Sequence, residues 1–273
     1  MKRNVLKLIE EEVKKTQVLV FTGGLAKRMG MINRAKAMLE LCGRPLIDWC
    51  IEYYSSCGFK DFIFLIGYRG EEIEEYIGSG ERYGIKAVYV RDPAVDKVGK
   101  GKALKNAIEV GAVDTEKRAL ICFPDDIFLD ETLPLKLLLH HIEGVKKRGI
   151  LATVVFATAI EYPFGVGKLD ENYMVIKFEE KPIIKISTST GMYMLEPHAI
   201  KMIEELVDIN APFSIEFENV LLPRLAENRK LYALTIPRDT WIPINTIKEL
   251  ERAENLLRNS SKHYSRISLK TNL

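Results

Sequence analysis

An α/β fold with a mostly parallel sheet, covered by helices on both faces, is what this 273-residue sequence predicts. Three observations point there. Short uninterrupted apolar runs, such as Val18-Leu19-Val20-Phe21 and Leu120-Ile121-Cys122-Phe123, suit strands buried on both faces. These runs alternate with amphipathic or charged stretches of helical length, in a repeated β-α-β rhythm. Near residue 160 the rhythm changes to shorter strands, which marks a smaller β-rich part.

In order, residues 3–15 read as a helix, 18–22 as a strand, and 47–57 as an amphipathic helix carrying Trp49 and Tyr53. Strand 62–66, acidic helix 70–77, strand 86–90, helix 101–110 and strand 119–123 follow. A helix near 132–147 and an apolar strand 150–157 complete the first part. Right-handed crossovers place the C-terminal ends of parallel strands, and the loops that follow them, on one edge of the sheet. Beyond 160 come strands 165–169, 174–178 and 189–195, helices near 197–207 and 214–227, strand 230–236 and helix 246–258. No repeat, low-complexity segment or linker divides the chain, so 1–258 reads as one domain and 259–273 as a polar, basic tail.

Composition narrows the classes. Hydrophobic residues make up 47%, charged residues 29%, and the formal net charge is +2, an ordinary soluble balance. So small a net charge argues against nucleic acid or a membrane surface as partner. Cys42, Cys50, Cys57 and Cys122 form no CxxC pair and no zinc spacing, which suits free thiols in a reducing cytoplasm. The N-terminus is an amphipathic, acid-containing helix, not a signal peptide. The longest apolar run, Ile150 to Ile160, is too short to span a bilayer. His140 and His141 sit on a leucine-rich helix with no carboxylate at ligand spacing and read as surface and packing residues.

The chemistry concentrates between Val18 and Ile47. Gly23-Gly24 ends the first strand with residues that let a ligand approach bare backbone. Lys27, Arg28, Arg34, Lys36 and Arg44 follow, opposed only by Glu40. A glycine turn opening into a cationic loop suits polyanionic phosphate, because N–H groups and fixed charges converge there. The spacing is neither a P-loop nor a complete GxGxxG, and a plain strand-to-helix turn would share it.

The order of residues is more telling. Gly23-Gly24-Leu25-Ala26-Lys27-Arg28-Met29, then Lys36, then Gly43-Arg44-Pro45-Leu46-Ile47, resembles the sugar-1-phosphate nucleotidyltransferase signature GGxGTRL, PKPML, GKPLI. Ala26 stands at the second-glycine position, Lys27 replaces Thr or Ser, and Ala35 and Ala37 replace prolines. Pro124-Asp125-Asp126 resembles the metal-binding segment of that family, in the form found in UTP–glucose-1-phosphate uridylyltransferases. Phe164-Gly165-Val166, Phe178-Glu179-Glu180-Lys181-Pro182 and Thr190-Gly191-Met192-Tyr193 resemble its YGV, FxEKP and (N/S)TGIY segments. Gly99-Lys100-Gly101 resembles the glycine-rich turn near the nucleotide base, with Asp92 or Arg91 where a base-reading Gln often stands. Trp241-Ile242-Pro243-Ile244-Asn245-Thr246 resembles WxDIGT, with Pro243 in place of the second metal-binding Asp.

The resemblance implies a Rossmann-like nucleotide-diphospho-sugar transferase fold, with a nucleotide-binding half (17–160) and a sugar-phosphate-binding half (161–258). It implies an NTP and a sugar 1-phosphate as substrates, with UTP or dTTP and glucose 1-phosphate favoured; thymidylyltransferases acting on glucose 1-phosphate share the motif style. Arg28, Lys36, Asp125 and Lys181 are then the catalytic candidates. Gly23, Gly24, Leu25, Ala26, Lys27, Gly99 and Gly101 would line the nucleotide. Gly165, Glu180, Lys181 and Thr190 would line the sugar phosphate. Mg²⁺ would sit on Asp125, with Asp126 or Asn245 as the lesser ligand, although capping the 246–258 helix is the favoured role for Asn245. No nucleic acid or membrane partner is expected, and a homo-oligomer is left open. Two other readings stay open: a cytidylyltransferase acting on a non-sugar phosphate, and a catalytically silent nucleotide-sugar-binding protein. A Rossmann oxidoreductase is disfavoured, since no third glycine follows Gly23-Gly24 and no acid ends strand 62–66.

Overall fold

The computed structural model describes residues 2–24 and 34–268. Helix α1 (Lys2–Lys14) leads into β1 (Thr16–Phe21). A two-residue hairpin, β2 (Glu40–Leu41) and β3 (Arg44–Pro45), precedes α2 (Leu46–Ser56). Next come β4 (Asp61–Ile66), α3 (Gly70–Ile77), β5 (Lys86–Arg91) and α4 (Gly99–Glu109). Strands β6 (Arg118–Cys122) and β7 (Asp126–Phe128), α5 (Leu133–Arg148) and β8 (Ala152–Ala157) follow. The arm contains β9 (Ile160–Glu161), β10 (Val166–Leu169), β11 (Val175–Glu179) and β12 (Ile183–Ile184). The chain then returns through β13 (Thr188–Leu195), α6 (Pro197–Leu206), α7 (Phe217–Glu227) and β14 (Leu231–Ile236). Strand β15 (Trp241–Pro243) and α8 (Ile247–Ser268) complete the described chain.

The central sheet has seven strands in the order β14-β8-β13-β6-β1-β4-β5. Every pairing is parallel except the two made by β13, which runs antiparallel between β6 and β8. The mostly parallel α/β architecture is therefore as the sequence predicts. The two-sided burial follows from the pleat, since successive side chains leave a strand on opposite faces. Val18 and Val20 enter one core with Phe62, Phe64 and Leu120, beneath α2, α3 and α5. Leu19 and Phe21 enter the other with Ile63, Leu65 and Ile121, beneath α4, α6 and α7. Each such side chain contributes roughly 1.5–3 kcal/mol by leaving water, so an uninterrupted apolar run is what both layers require.

Two features depart most from the expected elements. β7 and β15 form a short antiparallel ladder, Ile127 opposite Ile242, that the local pattern did not signal. Its partners are 115 positions apart, and neither strand is long enough to show alternation. Helix α8 continues to Ser268, past residue 258, because no Gly or Pro interrupts it; the start of the expected tail is thus helical. Hairpin β10–β11, by contrast, forms as expected but stands in solvent, with Ile176, Phe178 and Leu169 all exposed. Among the described residues no helix is long and apolar enough to cross a membrane.

A charged network ties α1 to the sheet at the edge opposite the strand C-termini. The Arg118 guanidinium donates to Glu12 and to Glu196, at 2.6 Å each. His141, fully buried on α5, faces Glu196 through Nε2 at 3.0 Å and Thr153 through Nδ1 at 2.8 Å. His140 stacks on Tyr232 instead. Both histidines are packing residues. Burial holds the His141 pKa below its usual value, Glu196 opposes that, and Arg118 adds to it. Burial alone would raise the Glu196 carboxyl, but His141 and Arg118 hold it below its usual range. A depressed histidine pKa means the unfolded chain binds more protons below about 6.5, so stability should fall as pH drops through that value. The urea midpoint of the wild type is therefore expected to decline between pH 7.5 and 5.5, and His141→Gln should flatten that decline. An unchanged slope would exclude His141 as its source.

Candidate active site

Strands β1 and β6 are parallel neighbours, with Val20 beside Cys122, so the segments that follow them emerge on the same edge. After β1, the Thr22 N–H and hydroxyl both donate to the Leu65 carbonyl, at 3.0 and 2.9 Å, and steer Gly23-Gly24 across the strand ends. The Lys36 N–H returns to the Gly24 carbonyl at 3.1 Å, which brings the lysine back over the same turn. After β6, Phe123-Pro124 turns into Asp125. The ladder between β7 and β15 then draws the 244–245 segment alongside, through an Ile244 N–H bond of 2.8 Å to the Asp125 carbonyl.

Three side chains from distant parts of the sequence meet there. Lys36 Nζ forms an ion pair with Asp125 Oδ2 and donates to Asn245 Oδ1 at 3.2 Å. Asn245 does not cap α8. Thr246 does, its hydroxyl accepting from the Glu249 N–H at 3.3 Å, while Glu249 accepts the Asn245 backbone N–H at 2.7 Å. With Thr246 as cap and Glu249 holding the Asn245 backbone N–H, the Asn245 side-chain amide faces the ion pair.

Two cavities flank this cluster. The first, about 520 Å³, is lined by Gly23, Gly24, Lys36 and Gly99. Asp92, also on its wall, lies so close to the chain that a Cβ at Gly67 would come within 2.5 Å of its Oδ2. Gly67 itself lines neither cavity; its close packing on Asp92 is a contact that sequence reasoning missed, and the Ile66-Gly67 break at the end of β4 was the available signal. Burial pushes the Asp92 carboxyl up to about 6. Arg91, the alternative at this position, turns away to Glu71 and Glu74. Gly101 lines neither cavity. Its N–H donates to the Ile215 carbonyl at 2.7 Å, and a Cβ there would come within 2.8 Å of that oxygen.

The second cavity, about 880 Å³, opens beside Asp126, Lys181, Thr190, Gly191 and Pro243. Asp126 Oδ1 accepts the Trp241 indole N–H at 2.8 Å. Burial, with Asp125 alongside, pushes its carboxyl well above the usual range, against the pull of Trp241 and Lys36. Pro243 lies opposite Asp126 in the short ladder. The Thr190 hydroxyl is engaged by the Val155 carbonyl at 3.0 Å. Glu180 and Gly165 lie together on the arm, where a Cβ on Gly165 would meet the Glu180 carboxylate at 2.9 Å. Lys181 adopts a left-handed conformation, φ +47°, and reaches the cavity wall from the arm. Leu25, Ala26, Lys27 and Arg28 lie outside the described residues. Arg44 does not belong to a phosphate-facing cluster. Cys42 and Gly43, at φ +54° and +76°, turn the chain so that Arg44 pairs with Glu52 and lies 5.0 Å from the Trp49 ring centroid.

The family model described as nucleotidyl transferase matches residues 17–260. The chain belongs to the nucleotidyl transferase family. A UTP–glucose-1-phosphate uridylyltransferase of Synechocystis is 25% identical over 87% of this chain and 62% of its own length. A bifunctional protein GlmU of Thermoanaerobacter pseudethanolicus is 24% identical over 88% of this chain and 51% of its own. A mannose-1-phosphate guanylyltransferase catalytic subunit beta of Drosophila pseudoobscura is 23% identical over 86% and 60%. The chain thus spans about half to three-fifths of the length of these relatives. A crystal structure from Bacillus anthracis, provisionally named a glucose-1-phosphate thymidylyltransferase and solved with sucrose, shares the fold at a TM-score of 0.67. It is 21% identical and covers 89% of this chain and 95% of that one.

For a member of the nucleotidyl transferase family, the donor set at the cluster suits Mg²⁺. Hard oxygens are available from Asp125, Asn245 and Asp126, and Mg²⁺ commonly takes only one or two carboxylates, completing its shell with phosphates and water. Among the described residues no group of three His, Cys, Asp or Glu side chains is placed to hold a metal ion. Gly191 offers a direct test of how tightly this end of the site is built. Its φ is +82°, and an added Cβ would come within 2.6 Å of Asp126 Oδ2 and 2.9 Å of the Phe123 ring. Gly191→Ala is expected to cost about 1–3 kcal/mol, and so to lower the melting temperature by several degrees. A melting temperature unchanged within 1 °C would mean that the Asp126 contact is slack.

Proposed function

We propose that this chain is a sugar-1-phosphate nucleotidyltransferase, converting an NTP and a sugar 1-phosphate into an NDP-sugar and pyrophosphate. The observation that carries the reading is the meeting of Lys36, Asp125 and Asn245 between two cavities, each large enough for one substrate. Family membership supports it. The sugar-phosphate oxygen attacks the α-phosphorus in line, so the protein's task is to position the two substrates and to neutralise phosphate charge. Lys36 would serve the α-phosphate and Arg28 the departing pyrophosphate. Lys181 would hold the attacking phosphate, with Glu180, Gly165 and Thr190 toward the sugar. Asp125, with Asn245 or Asp126, would hold Mg²⁺, which when bound neutralises phosphate charge.

UTP or dTTP with glucose 1-phosphate is the favoured pair, in keeping with the motif style and with a uridylyltransferase among the relatives. A second reading, GTP as donor, rests on Asp92. A carboxylate on the first cavity's wall can accept both N–H groups of the guanine edge, whereas uracil offers one N–H flanked by carbonyls. Pyrophosphate release across UTP, dTTP, GTP and CTP, each with glucose, mannose and N-acetylglucosamine 1-phosphates and Mg²⁺, tests both. Absence of release with every pair, alongside measurable NDP-sugar binding by calorimetry, would replace the enzyme with a binding protein.

Two variants probe the assignments once a substrate pair is known. Asp125→Asn should lose roughly 30- to 1000-fold in turnover, the scale of a 2–4 kcal/mol transition-state contribution. A fast Asp125→Asn enzyme, or wild-type activity in excess chelator, would contradict that role. Lys181→Ala should raise KM for the sugar phosphate far more than KM for the NTP, and an equal change in both would detach Lys181 from the sugar.

A further inference from the structure

Among the described residues, Lys36 lines only the first cavity and Lys181 only the second. Lys100, Phe123, Asp125 and Asn245 line both, and Lys100 is the cation among them. The local backbone accounts for its position. Gly99, at φ +69°, sits so close to Ile215 that a Cβ would come within 2.6 Å of that residue's carbonyl oxygen. The Lys100 N–H donates to Glu216 Oε2 at 3.2 Å. The first turn of α4 is thereby clamped on the 215–217 segment. Lys100 Nζ then lies 2.9 Å from Glu216 and 2.9 Å from Glu218, and 5.5 Å from the Phe123 ring centroid. Glu216 lines the first cavity and Glu218 the second, so one ammonium joins two carboxylates across the shared wall.

An ammonium has three N–H donors, and the two carboxylates engage two of them. Burial would lower the Lys100 pKa, but Glu218 and Glu216 more than offset that and hold it above its usual value. Lys100 therefore keeps its charge. The other Glu218 oxygen, Oε2, is buried and has no hydrogen-bond partner among the described residues. An orphaned acceptor is costly unless a donor reaches it, and a sugar hydroxyl is such a donor.

We propose that Lys100 is a further catalytic residue, donating its remaining N–H to the α-phosphoryl group during transfer, with Glu216 and Glu218 as positioning residues. The inference rests on the reaction proposed above, with the nucleotide in the first cavity and the sugar phosphate in the second. An oxygen of the sugar phosphate, already an anion, forms the new bond to the α-phosphorus. The bond from that phosphorus to the oxygen bridging toward the β-phosphate breaks, and pyrophosphate leaves with the electron pair. No proton changes hands. The two phosphates approach each other at the shared wall, where a fixed positive charge favours the transition state over the separated substrates.

The test is steady-state kinetics on Lys100→Met and Lys100→Arg beside the wild type, with melting temperatures. Lys100→Met is expected to lose roughly 30- to 300-fold in kcat, with KM for either substrate changed less than about threefold. Lys100→Arg should recover at least about tenfold of that loss through its retained charge. A Lys100→Met kcat within about threefold of wild type would overturn the proposal. So would a loss confined to KM for one substrate, or a loss that tracks the melting temperature and is not recovered by arginine. If Lys100→Met does not fold, Glu218→Gln provides the reading, with about a 5- to 30-fold loss of kcat expected from a loosened ammonium and an unchanged kcat overturning it. A wild-type protein that releases pyrophosphate with no substrate pair sinks the proposed reaction itself, before any variant is made.

Discussion

Val20 of β1 and Cys122 of β6 lie side by side in a parallel register, so both strands run out at the same edge of the sheet. Most of the candidate site depends on that pairing. It sets Gly23-Gly24 beside Phe123-Pro124-Asp125, and it gives the Lys36 ammonium a carboxylate to meet across the strand ends. In an antiparallel pair those segments would have left from opposite edges. The pairing is held by side chains on both faces, Val18 and Val20 in one core and Leu19 and Phe21 in the other. Helices on both sides therefore guard its register, because a one-residue slip would exchange the two sets.

Two ammonium groups at this edge are ion-paired. Lys36 is matched by Asp125, and Lys100 by Glu216 and Glu218. Partly buried pairs of this kind are poor evidence for stability, because removing both ions from water offsets much of their attraction. Their physical consequence is local. Each ammonium is held in place in a cavity wall by the carboxylates it pairs with. The network of Glu12, Arg118, Glu196 and His141 at the far edge uses the same chemistry for a different end, tying α1 and α5 to the sheet.

The arm follows another rule. Hairpin β10–β11 and the short β9–β12 pair each consist of two strands, and nearly all of their side chains are exposed. Isolated two-stranded ribbons are marginal in water. The arm therefore carries Glu180 and Lys181 on an exposed two-stranded segment, while Lys36, Asp125 and Lys100 sit beside the buried central sheet.

The sequence by itself determined the elements and their class. Buried strands announce themselves as apolar runs, amphipathic helices by their period, and the turn after β1 by two glycines, because each of these is a property of neighbouring residues. It also brought Lys36, Asp125 and Lys181 forward as candidates through ordered motifs. Only the tertiary structure decided that Asn245 faces Lys36 while Thr246 caps α8, that Arg44 turns to Glu52, and that Gly101 packs on Ile215. It alone brought Glu216 and Glu218 to Lys100 and Asp92 to Gly67. Apart from the local Thr246–Glu249 cap, these contacts join residues separated by 8 to 209 positions. Their geometry is set by strand pairing and by backbone approach, neither of which leaves a periodic trace in the local sequence.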